Sequence, residues 1–257
     1  MKFAIIGKGF IYERHKKAIE DLGHEIYLTC DIDQALQPDF IDWQEMMKSE
    51  RFKEVDAVVI CGPNYLHAPM ARKALRLGKK VLCEKPLSIN GFSGLDGVCS
   101  VLQLRYHPAL QGLRASEVYV EAKMYRDENY WNGWKGNKKK SGGVLYNLGV
   151  HYIDLLIFLL GKPMEVLGAA VNDKVASGFV SFEGGGIGKF HIEIVDNRES
   201  QGRKIMVDGD EINLSNKDNL SYEDLHKKVY EEFIAGRGIG LSEAKKSINL
   251  IKKILSW

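Results

Sequence analysis

The feature that most constrains the fold is a short apolar run, residues 2–6, followed at once by glycines at positions 7 and 9 and by an amphipathic helical pattern. A second apolar run, residues 25–30, ends at Asp31. Strand, glycine turn, helix, strand and acid form the order of a dinucleotide-binding unit. In such a unit the glycines let the backbone approach a pyrophosphate, and the helix N-terminus offers amide donors. We therefore expect Gly7 and Gly9 to line a cofactor, although Tyr12 replaces the usual third glycine.

Asp31 indicates which dinucleotide this unit prefers. It follows Gly9 by roughly the ~20 residues at which an acid meets the ribose in such units. A carboxylate there accepts a hydrogen bond from the ribose 2′-hydroxyl and repels a 2′-phosphate, which favours NAD over NADP. The alternative is an ordinary loop acid after a strand, and the order of the whole unit favours the cofactor role.

Two more apolar runs, residues 55–60 and 79–86, flank an amphipathic helical pattern and predict a doubly wound parallel sheet. Ligands of such sheets bind at the carboxyl ends of the strands. The chain places Asp31, Cys61, Glu84 and Lys85 at those ends. Three residues in the turn and helix after the third strand are further candidates for cofactor contacts, with packing as the alternative for the histidine: Pro63, Asn64 and His67.

The second half of the chain has a different pattern. Five apolar, strand-like runs alternate with turn residues, one helix is inserted early, and two helices follow at the end. The predicted fold class is therefore α/β: an N-terminal Rossmann domain with a doubly wound parallel sheet, residues 1–105, followed by an α+β domain with a predominantly antiparallel sheet, residues 106–257. We expect the second domain to bind substrate and to form oligomer contacts.

The inserted helix, residues 143–160, carries polar residues at spacings of four and three, namely Asn147, His151 and Asp154. Such spacing puts them on one helix face, where a carboxylate can orient and tune an imidazole. The alternative for a histidine on a helix is a structural role. The loop before the helix mixes aromatic rings with Arg126, Lys135 and a lysine run, which suits a sugar, base or anionic group. Its alternatives are a loop anchored by its own rings or an oligomer contact.

Composition excludes several functional classes. The chain has 257 residues, is 45% hydrophobic and 27% charged, and carries a net charge of +2, which argues against a large nucleic-acid footprint. Its four cysteines lie in apolar surroundings without a metal-like CxxC, so we expect reduced core thiols, no metal site and a cytoplasmic protein. We expect no membrane-spanning segment, because the longest apolar run is brief and carries Asp154, and no signal peptide, because strand-like residues begin at Lys2.

Two motifs resemble those of a known family. Glu84-Lys85-Pro86 closes the fourth strand, and the helix carries a Gly-x-His-x-x-Asp pattern from Gly149 to Asp154. Together, in this order and at this separation, they resemble the glucose–fructose oxidoreductase, inositol dehydrogenase and rhizopine-catabolism family. Further segments, among them residues 60–69, 124–137 and 230–248, are similar to its bacterial UDP-N-acetylglucosaminuronate 3-dehydrogenase branch. That likeness covers nearly the whole chain.

The resemblance implies an NAD-dependent enzyme that oxidises the 3-hydroxyl of a UDP-linked sugar acid to a ketone, for surface-polysaccharide sugars. It implies that Lys85 and His151 handle the proton. Additional cofactor contacts would come from Phe10, Ile11, Gln103 and Trp134. Substrate contacts, besides the catalytic pair, would come from Arg105, Tyr125, Arg126, Tyr130, Lys135 and Asn147.

The chain departs from the family pattern at two places. Asn147 stands where an acid is usual, which leaves Lys85 and His151 as the proton-handling pair. The segment from Leu87 to Ser100 is shorter than usual and contains three glycines that oppose a stable helix. We therefore expect one flank of the sheet to be trimmed or irregular.

The resemblance also implies a homo-oligomer, a dimer or tetramer, and a 2-oxo acid as the oxidant that restores bound NAD. Two rival functions remain open at this point. One is a dehydrogenase of another sugar or an inositol, which would keep both motifs. The other is a non-catalytic NAD-binding regulator, which would have no need of a lysine and a histidine at the chemical positions.

Overall fold

The structure is a computed structural model that describes residues 1–214 and 223–257. Its strands are β1 (Lys2–Ile6), β2 (Glu25–Cys30), β3 (Ala57–Ile60), β4 (Lys80–Cys83), β5 (Val98–Ser100), β6 (Glu117–Tyr125), β7 (Pro163–Val171), β8 (Val175–Phe182), β9 (Ile187–Val195), β10 (Gly202–Val207) and β11 (Asp210–Glu211). The α-helices are α1 (Tyr12–Asp21), α2 (Trp43–Met46), α3 (Asn64–Arg76), α4 (Glu128–Asn132), α5 (Lys138–Ser141), α6 (Val150–Leu160), α7 (Glu223–Ile234) and α8 (Leu241–Leu255).

The first sheet is parallel and has the strand order β2-β1-β3-β4-β5. β3 is buried at every position, as expected for a strand covered on both faces. The helices α1 and α3 pack on the neighbouring strands, and α7 packs against α1. The predicted doubly wound sheet is thereby confirmed, with the carboxyl ends of β1 to β4 along one edge.

The connection between β4 and β5 contains no helix in residues 84–97, all of which the structure describes. Gly91, Gly94 and Gly97 all have positive φ, between 69° and 125°, which side chains other than glycine rarely adopt. The expectation of an irregular flank is therefore met, since this crossover reaches the edge strand as a loop.

The second sheet has the strand order β11-β10-β6-β9-β8-β7. Its pairs are antiparallel except for β6 with β9, which run parallel. Burial alternates along β8 and β9, so one face is covered and the other is more open. The covered face packs against α6, which contacts β6 and β9. This sheet confirms the predicted, mainly antiparallel second half.

The two compact units divide the chain differently from the predicted boundary. Residues up to Gln103 form the first unit and Leu104 opens the second, close to the expected position. However, α7 and the beginning of α8, up to Ala244, belong to the first unit. The reason is that α7 buries Tyr230 against this unit, where its ring lies 5.7 Å from that of Phe3. The nucleotide unit is therefore built from two separate stretches of chain.

One helical segment, residues 138–160, is long and apolar enough to cross a membrane by length and composition alone. This differs from the expectation that the chain holds no such stretch. Within the protein, however, 83% of the most apolar window of this segment is buried. The segment is thus the core helix of the second unit, and its apolar residues pack on the sheet described above.

Candidate active site

The glycine turn after β1 is fixed by close backbone contacts. Gly7 has φ +102°, and its amide donates to the carbonyl oxygen of Cys30 at 2.8 Å. A Cβ added at Gly7 would lie 2.7 Å from the carbonyl group of Cys61, whereas a Cβ at Gly9 would meet nothing within 4 Å. Gly7 is therefore required by the protein itself, and Gly9 leaves open space in front of the α1 N-terminus.

The start of α1 and the end of β2 meet beside this turn. Ile11 is the N-cap residue, so no side chain caps the first amides of the helix. Asp31 accepts hydrogen bonds from the backbone amides of Lys8 at 2.6 Å and Asp33 at 2.9 Å. Phe10 and Ile32 are both more than four-fifths exposed beside the turn. A helix start without a side-chain cap, open space at Gly9, a fixed carboxylate and exposed apolar side chains fit the pyrophosphate, ribose and base of NAD.

The turn after β3 holds the predicted residues in two different ways. Pro63 is the N-cap of α3 and Asn64 is its buried first residue. The ring nitrogens of His67 lie 2.8 Å from the carbonyl oxygens of Pro86 and Gly62. His67 thus ties the loop after β4 to the loop after β3, which is the packing role that the sequence left as an alternative. Burial raises the pKa of the Cys61 thiol well above its usual value, so Cys61 is a neutral group there.

Glu84 was predicted to contact the cofactor, but its carboxylate is turned into the protein. One oxygen lies 3.2 Å from Nε2 of His15, and the other accepts from the amide of Lys85 at 3.2 Å. Glu84 is correspondingly buried. Its role is to fix the backbone of Lys85, which follows it at the sheet edge and is half-buried. The Lys85–Pro86 peptide bond is cis.

Gln103 adds a polar atom to this unit. Its side-chain oxygen is buried and has no hydrogen-bond partner within residues 1–214 and 223–257. An unsatisfied buried amide oxygen costs stability unless a ligand supplies the missing donor. The predicted contact between Gln103 and a cofactor or substrate therefore has a physical reason.

In the second unit, the predicted helix begins with a π-helical turn, Leu145–Gly149, before α6. Asn147 lies in this turn and its amide donates to the hydroxyl of Tyr130 at 2.9 Å, where both residues are buried. His151 lies in the first turn of α6 and is half-buried. π-helical turns are frequent at functional sites. The wider turn also means that α-helical spacing does not describe the direction of Asn147.

Asp154 was predicted to orient the His151 imidazole, but its carboxylate binds Arg105. Nε and Nη2 of Arg105 each donate to a different oxygen of Asp154 at 2.8 Å. The Arg105 guanidinium also lies over the Phe158 ring, 5.7 Å from its centroid. Arg105, which was predicted to bind substrate, therefore has a structural partner on α6. The sequence spacing could not reveal this, because the arginine comes from a segment far away along the chain.

The loop between β6 and α6 supplies positive charge beside aromatic rings. Arg126 donates to the carbonyl of Tyr125 at 2.7 Å and lies over the Tyr130 ring. Burial lowers the pKa of Arg126. Lys135 lies over Trp134, and partial desolvation of its ammonium group together with nearby Arg126 lowers its pKa. Two cations held this close have the character of an anion site.

Sequence reasoning missed a third cation in this unit. Arg203 on β10 lies over the ring of Tyr152, 5.6 Å from its centroid. Burial raises the pKa of the Tyr152 hydroxyl, an effect that Arg203 and Arg126 oppose. Arg203 stands in the short strand β10, where the alternation of side chains alone does not predict that an arginine lies over the Tyr152 ring. Only the pairing of β10 with β6 brings it to this position.

Two family models match this chain. Residues 1–96 match the oxidoreductase family, NAD-binding Rossmann fold, and residues 117–230 match the oxidoreductase family, C-terminal alpha/beta domain. Among curated proteins, glucose-6-phosphate 3-dehydrogenase of Bacillus subtilis is 26% identical over 208 residues, which are 68% of this chain and 58% of that protein. The chain spans about half the length of the curated relatives that it matches first, between 51% and 61% of each.

Solved structures cover more of the chain. The WlbA (WbpB) dehydrogenase of Thermus thermophilus, in complex with NAD and UDP-GlcNAcA, is 29% identical with a TM-score of 0.84, over 100% of this chain and 95% of that one. Its complex with NAD and alpha-ketoglutarate is 32% identical with a TM-score of 0.82, over 96% and 92%. A myo-inositol dehydrogenase structure from Lactobacillus plantarum is 18% identical with a TM-score of 0.78, over 100% and 96%, and shares the fold.

Proposed function

This chain belongs to the oxidoreductase family that joins an NAD-binding Rossmann fold to a C-terminal alpha/beta domain, and we propose that it is an NAD-dependent dehydrogenase of a nucleotide-linked sugar acid. The substrate is of the UDP-N-acetylglucosaminuronate type, oxidised at its 3-hydroxyl. The product is a 3-keto sugar for surface-polysaccharide biosynthesis. NAD, when bound, accepts the hydride from the sugar carbon.

Lys85 and His151 are the proposed proton-handling pair. As the carbon–hydrogen bond breaks, the hydroxyl oxygen loses its proton to one of them, while the other polarises the oxygen. Both side chains have suitable chemistry, since a lysine whose pKa is lowered by a cationic cofactor can act as a base. The buried Glu84 supports Lys85 by fixing its backbone amide. His151 stands directly after the π-helical turn.

The observation that carries the substrate class is the group of cations in the second unit. Arg126, Lys135 and Arg203 stand among aromatic rings, which can stack on a uracil or a sugar while the cations hold a diphosphate or a carboxylate. A free sugar or an inositol carries no charged group that these cations could bind. The similar Thermus thermophilus protein was crystallised with UDP-GlcNAcA, a ligand with both anionic groups.

Recycling of the cofactor in place by a 2-oxo acid belongs to the same proposal. The support is that the Thermus thermophilus protein was also crystallised with alpha-ketoglutarate beside NAD. Reduction of a 2-oxo acid to a 2-hydroxy acid would consume the hydride taken from the sugar, so atoms and electrons balance over the two half-reactions.

The proposed enzyme is a cytoplasmic homo-oligomer. The support for oligomerisation is the outer part of the second sheet, where Met164, Leu167 and Phe179 on β7 and β8 are each about half exposed. Exposed large apolar side chains on neighbouring strands favour a partner surface.

Mass spectrometry of the purified protein under native conditions tests the proposal. We expect NAD to co-purify and to add its mass to that of the protein. The protein mass should be a whole multiple of the chain mass, and a UDP-sugar acid should add a further specific mass. Competition by UDP then separates the two dehydrogenase alternatives. If UDP fails to compete with the substrate that the enzyme oxidises, the enzyme acts on an uncharged polyol. If no sugar or polyol reduces bound NAD, the regulator alternative holds.

A further inference from the structure

A cluster of buried metal-ligand side chains lies in the first unit. It consists of His15 on α1, Glu84 at the end of β4 and His226 on α7. Their ligand atoms all lie within 4.8 Å of one another, and all three residues are buried. None of the sequence motifs pointed to it, because the histidines stand 211 positions apart, at 15 and 226.

The geometry of the cluster fits one small cation. Nε2 of His15 lies 3.2 Å and Nε2 of His226 lies 3.9 Å from the same carboxylate oxygen of Glu84. Ligand bonds of about 2.0–2.2 Å place two atoms on one tetrahedral zinc ion about 3.4 Å apart. The two observed separations lie on either side of that value, so an ion would need only small movements of the side chains.

His226 provides the independent observation. Its side chain is 1% exposed, and neither ring nitrogen has a hydrogen-bond partner among the residues that the structure describes. The separation of 3.9 Å from Glu84 is too long for a hydrogen bond. A buried imidazole without partners costs stability, and a metal ion at this position would use the nitrogen that faces Glu84.

His15 already has the outer partner that a metal-binding histidine requires. Its Nδ1 lies 2.9 Å from the hydroxyl of Tyr230, which is fully buried. Histidine ligands commonly donate their second ring nitrogen to such a group, which fixes the tautomer. On metal binding the imidazole would carry its proton on Nδ1 and donate it to the Tyr230 oxygen, leaving the Nε2 lone pair for the ion.

The composition of the cluster also favours a cation. One carboxyl group and two imidazoles, all buried, offer three lone-pair ligands to a single ion. A buried carboxylate is stabilised strongly by a bound cation.

We propose that His15, Glu84 and His226 form a structural site for a first-row divalent transition metal, with Zn²⁺ as the preferred ion. Two imidazoles and one carboxylate suit zinc, cobalt or nickel rather than the oxygen-seeking magnesium and calcium. The ion ties α7 to α1 and to the strand end that carries Lys85. Any effect of the ion on catalysis, through the position of Lys85, rests on the proposed function. The binding of the ion does not.

The test uses the full chain, stripped with a chelator and then incubated with ZnCl₂ or CoCl₂ and desalted. We expect about one equivalent of zinc per chain by elemental mass spectrometry. Cobalt should give a visible absorption band, and zinc should raise the unfolding temperature by about 5 °C or more. His226→Gln should lose the stoichiometric zinc, while His191→Gln, on the exposed side of β9, should keep it.

A substoichiometric trace of zinc in the wild-type protein would overturn the proposal, as would a full equivalent in His226→Gln. If that variant does not fold, NMR spectra of the cobalt form of the wild-type chain test the site. Two histidine ligands should give two exchangeable, strongly shifted imidazole proton signals, and none or one would contradict the site. Because these measurements need no sugar, failure of the dehydrogenase proposal would leave the metal result unaffected.

Discussion

Arg105 and Asp154 form a two-pronged ion pair, with each of two guanidinium nitrogens 2.8 Å from a separate carboxylate oxygen. The Asp154 side chain is 2% exposed and that of Arg105 is 10% exposed. The pair links the beginning of the second unit to its core helix. It therefore makes the aspartate of the Gly-x-His-x-x-Asp motif a structural residue, one turn away from a histidine with a proposed chemical role.

Replacement of this aspartate tests that assignment. Asp154→Ala should lower the free energy of unfolding by about 3–5 kcal/mol, because it leaves the Arg105 charge buried without its carboxylate. Urea denaturation measures the loss. The exposed pair of Lys17 and Asp21 provides the control, since Asp21→Ala should cause no measurable change. A neutral result for Asp154→Ala would mean that the pair contributes nothing to the stability of the second unit.

The two glycines of the first turn should respond differently to alanine. Gly7→Ala should cost about 2 kcal/mol or more of stability and weaken NAD binding, because its Cβ would strike Cys61 and its φ is positive. Gly9→Ala should leave the thermal midpoint unchanged, since its Cβ meets no protein atom, while reducing NAD affinity through the blocked backbone approach. Thermal melts and NAD titrations separate the two. Equal loss of stability in both would contradict the structural reason given for Gly7.

Asp31 should control the choice of dinucleotide. Asp31→Ser should lower the preference for NAD over NADP by about 10- to 100-fold, because a charged hydrogen bond to the ribose is lost and the repulsion of a 2′-phosphate disappears. Asp33→Ser, two residues further on, is the matched control and should leave the preference as it is. Titration with both dinucleotides provides the measurement. If the ratio of NAD affinity to NADP affinity is unchanged in Asp31→Ser, the role of Asp31 is only to hold the backbone of the turn.

Lys85 and His151 should matter for turnover and not for cofactor binding. Lys85→Met and His151→Ala should each reduce sugar-dependent formation of NADH by about 10²- to 10⁴-fold, the usual contribution of a positioned acid or base. Both variants should still bind NAD. Lys80→Met, at the exposed start of β4, serves as the control and should turn over normally. Near-normal turnover in both chemical variants would remove them from the proposed mechanism.

Lys135 should give substrate capture a pH dependence. Desolvation and the nearby Arg126 lower its pKa, so the ammonium form that binds an anion is lost, as pH rises, sooner than for an ordinary lysine with a pKa near 10.5. We expect kcat/KM to fall with rising pH through that lowered pKa while kcat changes less, because a bound anion keeps the lysine protonated. Lys135→Arg should shift the fall to higher pH. A pH profile identical in the variant would exclude Lys135 from substrate binding.

Local patterns predicted the parts of this protein that local physics determines. The alternation of apolar runs with turns gave both sheets, and the glycines of residues 87–100 gave the helix-free crossover. The partners of particular side chains could not be predicted in this way. Glu84 and Asp154 were assigned to the site because they stand in motifs, yet each binds a residue from a distant part of the chain, His15 and Arg105 respectively. Such pairings depend on tertiary packing, which single-sequence periodicity does not contain.

The return of α7 to the nucleotide unit has a consequence during protein synthesis. The buried Tyr230 and His226 belong to the second of the two stretches of chain that form this unit, and the first stretch ends at Gln103. A ribosome adding about 5–20 residues per second needs some seconds to a fraction of a minute to travel from one part to the other. Through that interval the nascent Rossmann sheet exists without its last helix, with the ring of Phe3 and the cluster around Glu84 exposed. A fragment of residues 1–105 would remain permanently in that incomplete state, so the cofactor-binding half cannot be isolated by cutting the chain once.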